Sequence, residues 1–267
     1  MTIDNLMKFK LAYLLVFSIT FLSAQKEDSN SVIQVEYDII LNDTTDIESF
    51  QRAFRHTLVT DGDRSHQTLQ SHIDTTLYSK YGHAHSFNSE FINKHNYFKS
   101  ISNGQVNYGM EYGFHETELI TDEWMFVNYK DGIETKKILD YKCKQQFVSF
   151  RGRDYEIYYA PELSAYKDGP WKFMGAPGLI LEVRSLDNSV LMKATTLYTK
   201  TVQKVKNMPD HWMSSLGITY DEFVRRYRLW REEVVKKNKF EDSNIMVIVP
   251  YRDFEIYKPY FIDNHKY

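Results

Sequence analysis

A single cysteine, Cys143, in a chain of 267 residues excludes any intramolecular disulfide framework. Only six prolines and eleven glycines are present, which excludes collagen-like and Pro/Gly-rich low-complexity architectures. Charge of one sign is also missing: 33 basic against 36 acidic side chains leave a net −3, too even for a chain that neutralises many phosphates, so a nucleic-acid partner is not expected. The catalytic signatures are absent as well. There is no Gly-x-Ser-x-Gly elbow, no phosphate-binding Gly loop, no dinucleotide fingerprint and no His-Glu-x-x-His; His115-Glu116 runs on into Thr117-Glu118-Leu119.

What is present is aromatic residues, 15% of the chain, with twenty Tyr and seventeen Phe. Flat rings pack well on pleated, half-buried surfaces, so this excess points to sheet. The one sustained apolar stretch, Leu11–Leu22, follows Lys8 and Lys10 and ends at Ser23-Ala24-Gln25. It is close to a signal h-region and shorter than the ~20 residues of a membrane span, so residues 1–24 read as a cleaved signal peptide and 25–267 as the mature chain, with no permanent span after signal removal. The expected address is exported: periplasmic, outer-membrane-associated or secreted. Cys143 lies in the strand-like Tyr141–Phe150 without a nucleophile signature and reads as a buried structural thiol.

Along the mature chain, Val32–Ile39 alternates as a strand with one buried face. Residues 42–93 give no clear elements, with Ile47, Phe50 and Phe54 at helix-like spacing and Asp61-Gly62-Asp63 as a turn. From Tyr97 to Leu163, Asn103-Gly104, Asp131-Gly132 and Arg151-Gly152 punctuate runs of Tyr, Phe, Ile and Val as in an antiparallel meander. Leu179–Arg184 and Val190–Tyr198 form a further expected hairpin around Asp187-Asn188-Ser189. The period then changes. Phe223, Tyr227, Trp230 and Val234 share one helical face, Thr219 and Glu222 suit a capping box, and Arg225, Arg228, Glu232 and Lys236 lie opposite. Asn244–Tyr257 returns to strand-like alternation. With no repeat or linker, the expected fold is α+β: one domain dominated by a curved antiparallel sheet, a partial barrel being one form of it, with an amphipathic helix in the C-terminal half.

Between the strands ending near Tyr159 and beginning at Leu179 lies an unusually long connection containing Trp171, Phe173, Gly175, Pro177 and Gly178. Pro177-Gly178 suits a type II turn, with Gly178 supplying the positive φ, and Gly175 permits a conformation that side chains resist. Here the sequence resembles the GLPGLI family of Bacteroidetes, whose name motif is matched by Gly175-Ala176-Pro177-Gly178-Leu179-Ile180, with Ala176 in place of Leu. Ile138–Cys143, Arg151-Gly152-Arg153, Tyr158–Leu163 and Gly169–Phe173 follow the family's order, so the likeness spans roughly 120–185. The resemblance implies an exported protein and supplies no mechanism.

Two readings of this connection compete. In one it is an apolar arch closing an end of the sheet, with Trp171 and Phe173 as plugs. In the other Trp171, Phe173, Gly175, Pro177 and Gly178 meet an apolar ligand or an envelope protein. The sequence favours a non-enzymatic binding protein and nominates no catalytic residue, cofactor or metal site. The alternatives are a hydrolase or transferase assembled near 160–178 from Glu162, Asp168, Arg153 or Glu182, and metal capture by His83 and His85, with His66 and His72 upstream.

Overall fold

The computed structural model describes residues 31–44, 48–79, 96–110, 117–123, 128–213 and 216–237. Its described elements belong to one compact unit beginning at Val32. Eleven antiparallel strands form one open sheet: β1 Ile33–Thr44, β2 Glu48–Thr60, β3 Arg64–Ser79, β4 Tyr97–Ser100, β5 Gln105–Met110, β6 Glu118–Glu123, β7 Lys130–Ile138, β8 Tyr141–Phe150, β9 Arg153–Ala160, β10 Leu179–Ser185 and β11 Val190–Tyr198. Their order is β6-β5-β4-β3-β2-β1-β11-β10-β9-β8-β7. From β1 at the centre the strands therefore meander to one edge, begin again at the other edge and return to pair β11 with β1.

Register explains why this sheet has one apolar face. Directly paired residues share a face, and Gln146, Ile157, Val183, Met192, Ile39 and Phe54 form one continuous row of buried side chains across β8, β9, β10, β11, β1 and β2. The adjacent row, Gln145, Tyr158, Glu182, Lys193, Asp38 and Arg55, is polar throughout apart from the Tyr158 ring. A second core row, Val35, Leu58, Gln67, Tyr97, Tyr108 and Ile120, runs to β6. Its neighbour, Ile33, Thr60, Ser65, Lys99, Val106 and Asp122, is equally buried yet carries two opposite charges.

The turns follow local chemistry with one exception. Gly62, Gly104 and Gly152 take positive φ at the expected positions, and Asn188 does so between β10 and β11. Asp131-Gly132 does not form a turn. It lies inside β7, where the ladder slips between Asp131 and Thr135 and the Gln145 side chain packs against the bare Gly132 backbone. The β7–β8 turn is at Leu139-Asp140 instead, with Leu139 at φ 52. The helix-like spacing of Phe50 and Phe54 also gave way, since both residues belong to β2 and a four-residue spacing fits a strand as readily as a helix, while Ile47 lies outside the described residues.

The polypeptide after β11 crosses the β3–β6 half. Lys206 N–H donates to His66 Nδ1, Trp212 packs edge-on against Phe98, and Ile218 bridges to Ile120 on the edge strand β6. A short helix, α1 Asp210–Met213, precedes the main helix, α2 Tyr220–Lys237. Thr219 Oγ1 accepts the Glu222 N–H at 3.3 Å, while the Glu222 carboxylate turns to Arg225 and Arg226, so half of the expected capping box forms. Tyr220, Phe223, Val224 and Tyr227 are buried, and Arg225, Arg228, Glu232 and Lys236 are exposed. Asn244–Tyr257 lies outside the described residues.

Gly175 adopts the conformation expected of it, while Gly178 does not supply the positive φ expected of the Pro177-Gly178 turn. Gly175 is the residue with positive φ, +88, whereas Gly178 is required because a Cβ there would lie 2.2 Å from the Ala160 carbonyl oxygen. Gly178→Ala should therefore lose about 3 kcal/mol through forced displacement of paired backbone. Gly175→Ala meets only Tyr129 Cε2, at a comfortable 4.0 Å, and should lose about 1 kcal/mol through backbone strain alone. Urea denaturation midpoints check the order, with equal losses contradicting the assignment.

Candidate functional site

The connection from β9 to β10 begins with a 3-10 turn, Pro161–Leu163, and then enters the core. Trp171 is 2% exposed and Phe173 is fully buried, as are Lys172, Met174 and Ala176, while Gly175 and Pro177 face solvent. Trp171 holds φ 54, a conformation that costs a non-glycine residue about 1–2 kcal/mol and is sustained here by its surroundings. Its ring lies 6.0 Å from Phe150 and 5.6 Å from Phe173, which stands edge-on to Tyr155 at 5.0 Å. The aromatics thus occupy the interior as plugs.

Two ion pairs of opposite sense fix this crossing. Asp168 of the connection pairs with Lys99 of β4, both side chains being fully buried. Lys172 of the connection pairs with Asp122 of β6 at 3.0 Å and donates to the Tyr108 hydroxyl at 2.6 Å. Arg151, from the β8–β9 turn, adds two bonds to Asp122 at 3.1 and 2.8 Å, and its guanidinium stacks 3.4 Å above the Tyr220 ring of α2. Burial pushes the Asp122 carboxyl upward, but the combined pull of Lys172 and Arg151 carries it below the ordinary aspartate range. The Lys172 ammonium also faces the rings of Tyr108, Tyr220 and Trp171 at 4.1, 4.9 and 5.1 Å.

Backbone contacts complete the seating. Trp171 N–H donates to Gln67 Oε1 at 2.6 Å, Ile180 N–H donates to Asp168 O at 2.8 Å, and the Tyr37 hydroxyl donates to Ile180 O at 2.7 Å. Burial, reinforced by Asp168 and Cys143, holds the Tyr37 phenol well above its usual range. Lys99, Asp122, Gln67 and Tyr108 were not singled out from sequence. A signal existed for Lys99, which shares the parity of Tyr97 in β4 and so belongs to the core face.

The four polar residues considered for catalysis are not brought together. Asp168 pairs with Lys99, Glu182 with Lys136 at 2.6 Å and Arg153 with Asp187 at 3.4 Å; no hydrogen bond or ion pair joins any two of Asp168, Glu182, Arg153 and Glu162. A separate polar cluster lies across β7–β9, where the Tyr158 hydroxyl meets Glu156 at 2.8 Å and Glu134 at 3.1 Å. Burial and the two glutamates push that phenol upward, which leaves it protonated as a donor to them. Cys143 is buried in β8, and burial raises its thiol to about 11, so it is inert as a nucleophile at neutral pH. Among the described residues no group of three or more His, Cys, Asp or Glu is placed to hold a metal ion. His66 is buried, with its ring held neutral to about pH 4 by burial and by Lys206, while His83 and His85 lie outside the described residues.

No protein-family model matches the chain, and no curated protein matches it. Among solved structures, PNGF-II in space group P21 aligns with TM-score 0.48 and 16% identity over 74% of this chain and 33% of that one. PNGF-II in space group C2 aligns with TM-score 0.45 and 17% identity over 75% of this chain. The chain thus spans about a third of the length of either PNGF-II chain.

Asp122 carries two cations, so its loss is the costliest. Asp122→Ala should destabilise by about 4 kcal/mol, because Lys172 is left buried without its anion. Lys172→Met should cost less, since Arg151 still pairs with Asp122. Because the Asp122 carboxyl is lowered on folding, the gap between wild type and Asp122→Ala should be constant above about pH 5 and narrow as the pH falls below about 4. Chemical denaturation across this range checks both the order and the pH dependence.

Proposed function

We propose that the chain is an exported cell-envelope protein of the GLPGLI type, acting by non-covalent recognition of another envelope protein at its outer surface. The observation that carries this reading is the inward seating of the β9–β10 connection: Trp171, Lys172 and Phe173 fill the interior, and Lys172 is ion-paired there to Asp122. An apolar ligand would have to displace a buried ammonium together with its carboxylate, which opposes entry. Recognition therefore falls to what remains outside, the exposed Gly175 and Pro177 and the Lys193, Asp38 and Arg55 part of the polar face of the sheet.

The sheet in this reading is curled into a partial barrel. Ten inter-strand steps of about 4.8 Å would separate the edges of a flat eleven-stranded sheet by about 48 Å. Yet β6 ends at Glu123 and β7 starts at Lys130, a link that reaches only about 25 Å when fully extended. The bonds from Arg151 beside β8 to Asp122 of β6 support the same curvature. Residues 1–24 serve as the export signal, and the likeness over roughly 120–185 supports the family.

Recovery from the periplasm or the medium with Gln25 as first residue is the expected result; retention of Met1 in the cytoplasm would overturn the export assignment. Native mass spectrometry should show the polypeptide without apolar ligand, and co-purifying lipid would overturn the filled interior. A photo-crosslinking side chain at Pro177 should give a discrete envelope-protein adduct that the same side chain at the buried Phe173 position does not. Absence of any adduct at 177 and along the polar face would overturn recognition.

A further inference from the structure

The geometry points to a covalent modification site: Lys99 Nζ and Asp168 Cγ are seated to condense into an intramolecular amide that ties β4 to the β9–β10 connection. The two groups are in contact and both side chains are fully buried. Each is also oriented by the same neighbour. Lys99 Nζ donates to the Gly169 carbonyl at 2.6 Å, and the Gly169 N–H donates to Asp168 Oδ1 at 2.8 Å. The second carboxyl oxygen, Oδ2, is buried and has no hydrogen-bond partner.

An ion pair leaves this pocket incompletely satisfied, and an amide does not. Burial disfavours the Lys99 ammonium against the pull of Asp168. The reacting form is the neutral pair, an amine beside a carboxylic acid, reached by passing one proton across the Lys99–Asp168 contact. Nζ then attacks Cγ, with the charge that develops on Oδ1 facing the Gly169 N–H. The Nζ–Cγ bond forms, the Cγ–Oδ2 bond breaks, and Oδ2 leaves as water, taking up the proton already passed from Lys99 to the carboxyl and a second one from Nζ. No atom changes oxidation state and no co-reactant is needed.

In the product the remaining N–H still donates to Gly169 O, Oδ1 still accepts from Gly169 N–H, and the buried orphan oxygen is gone. Amide condensation in water is opposed by mass action, but two groups held in contact act at effective concentrations of about 10⁵ M or more. Gly169 is confined as well, because a Cβ there would lie 2.7 Å from Ile180 Cβ. The Gly169 N–H donor and carbonyl acceptor are thus held in place. A chain with one cysteine gains by this reaction the covalent tie that disulfides cannot supply.

Intact-mass spectrometry of the denatured full-length protein, with its N-terminus read in the same experiment, tests the site. The expected mass is lower than the sequence mass by one water, and proteolysis should yield a branched peptide joining Lys99 to Asp168. Lys99→Met should restore the full sequence mass and give linear peptides only. Asp168→Asn, whose carboxamide reacts by losing ammonia, should give the same branched peptide. Wild-type protein at its full sequence mass with linear Lys99 and Asp168 peptides overturns the proposal, and this result needs no variant to fold. A branch at any other pair overturns the assignment.

Discussion

Two ammonium groups and two carboxylates, removed from water in pairs of opposite sense, hold the β9–β10 connection against the far half of the sheet. Asp168 and Lys172, four residues apart on the connection, meet Lys99 and Asp122, which share one cross-strand row on β4, β5 and β6. Desolvation offsets much of the attraction in such pairs, so their effect lies less in net stability than in the arrangements they forbid. A connection displaced by one residue, or turned end for end, would face like charges or leave four charges without partners. Because β4–β6 come from the first half of the sheet and the connection from the second, this match joins the two meanders.

The aromatic excess follows from the same constraint. A sheet of this width has more apolar surface than one helix covers, and α2 buries only Tyr220, Phe223, Val224 and Tyr227 of its described side chains. The remaining area is met by the connection, where Trp171 and Phe173 reach Phe150 and Tyr155. The Lys172 ammonium sits among Tyr108, Tyr220 and Trp171, so aromatic rings solvate the charge as well as fill space. Arg151, stacked on Tyr220 and bonded to Asp122, links the β8–β9 turn, α2 and β6 at one point.

The edges of the sheet are managed differently. At β6, Ile218 bonds the exposed backbone through Thr121 N and Leu119 O, so the edge is partly paired. At β7, the slipped register between Asp131 and Thr135 and the charged Lys130, Asp131, Glu134, Lys136 and Lys137 make a poor template for a further strand, although Ile133 is 98% exposed. The polar cluster around Tyr158 lies beside this edge, with the Lys136 ammonium 3.5 Å over the Tyr158 ring.

Sequence by itself determined what depends on neighbours a few residues apart. Alternation located β1, the paired turn residues located the hairpins at Gly104 and Gly152, and the period of Phe223 and Tyr227 located α2, because side-chain direction repeats every two or 3.6 residues. β2 and β3 were illegible because their polar composition and a four-residue spacing fit either period. The length and composition of the β9–β10 connection marked it as special, and Trp171 and Phe173 as its anchors. Only tertiary structure decided that they point inward, that Gly178 answers to Ala160, and that Lys99 and Asp122 are core residues. A buried charge is acceptable only beside its counterion, and the counterions of Lys99 and Asp122 lie about 70 and 50 residues away along the chain, beyond the reach of any local pattern.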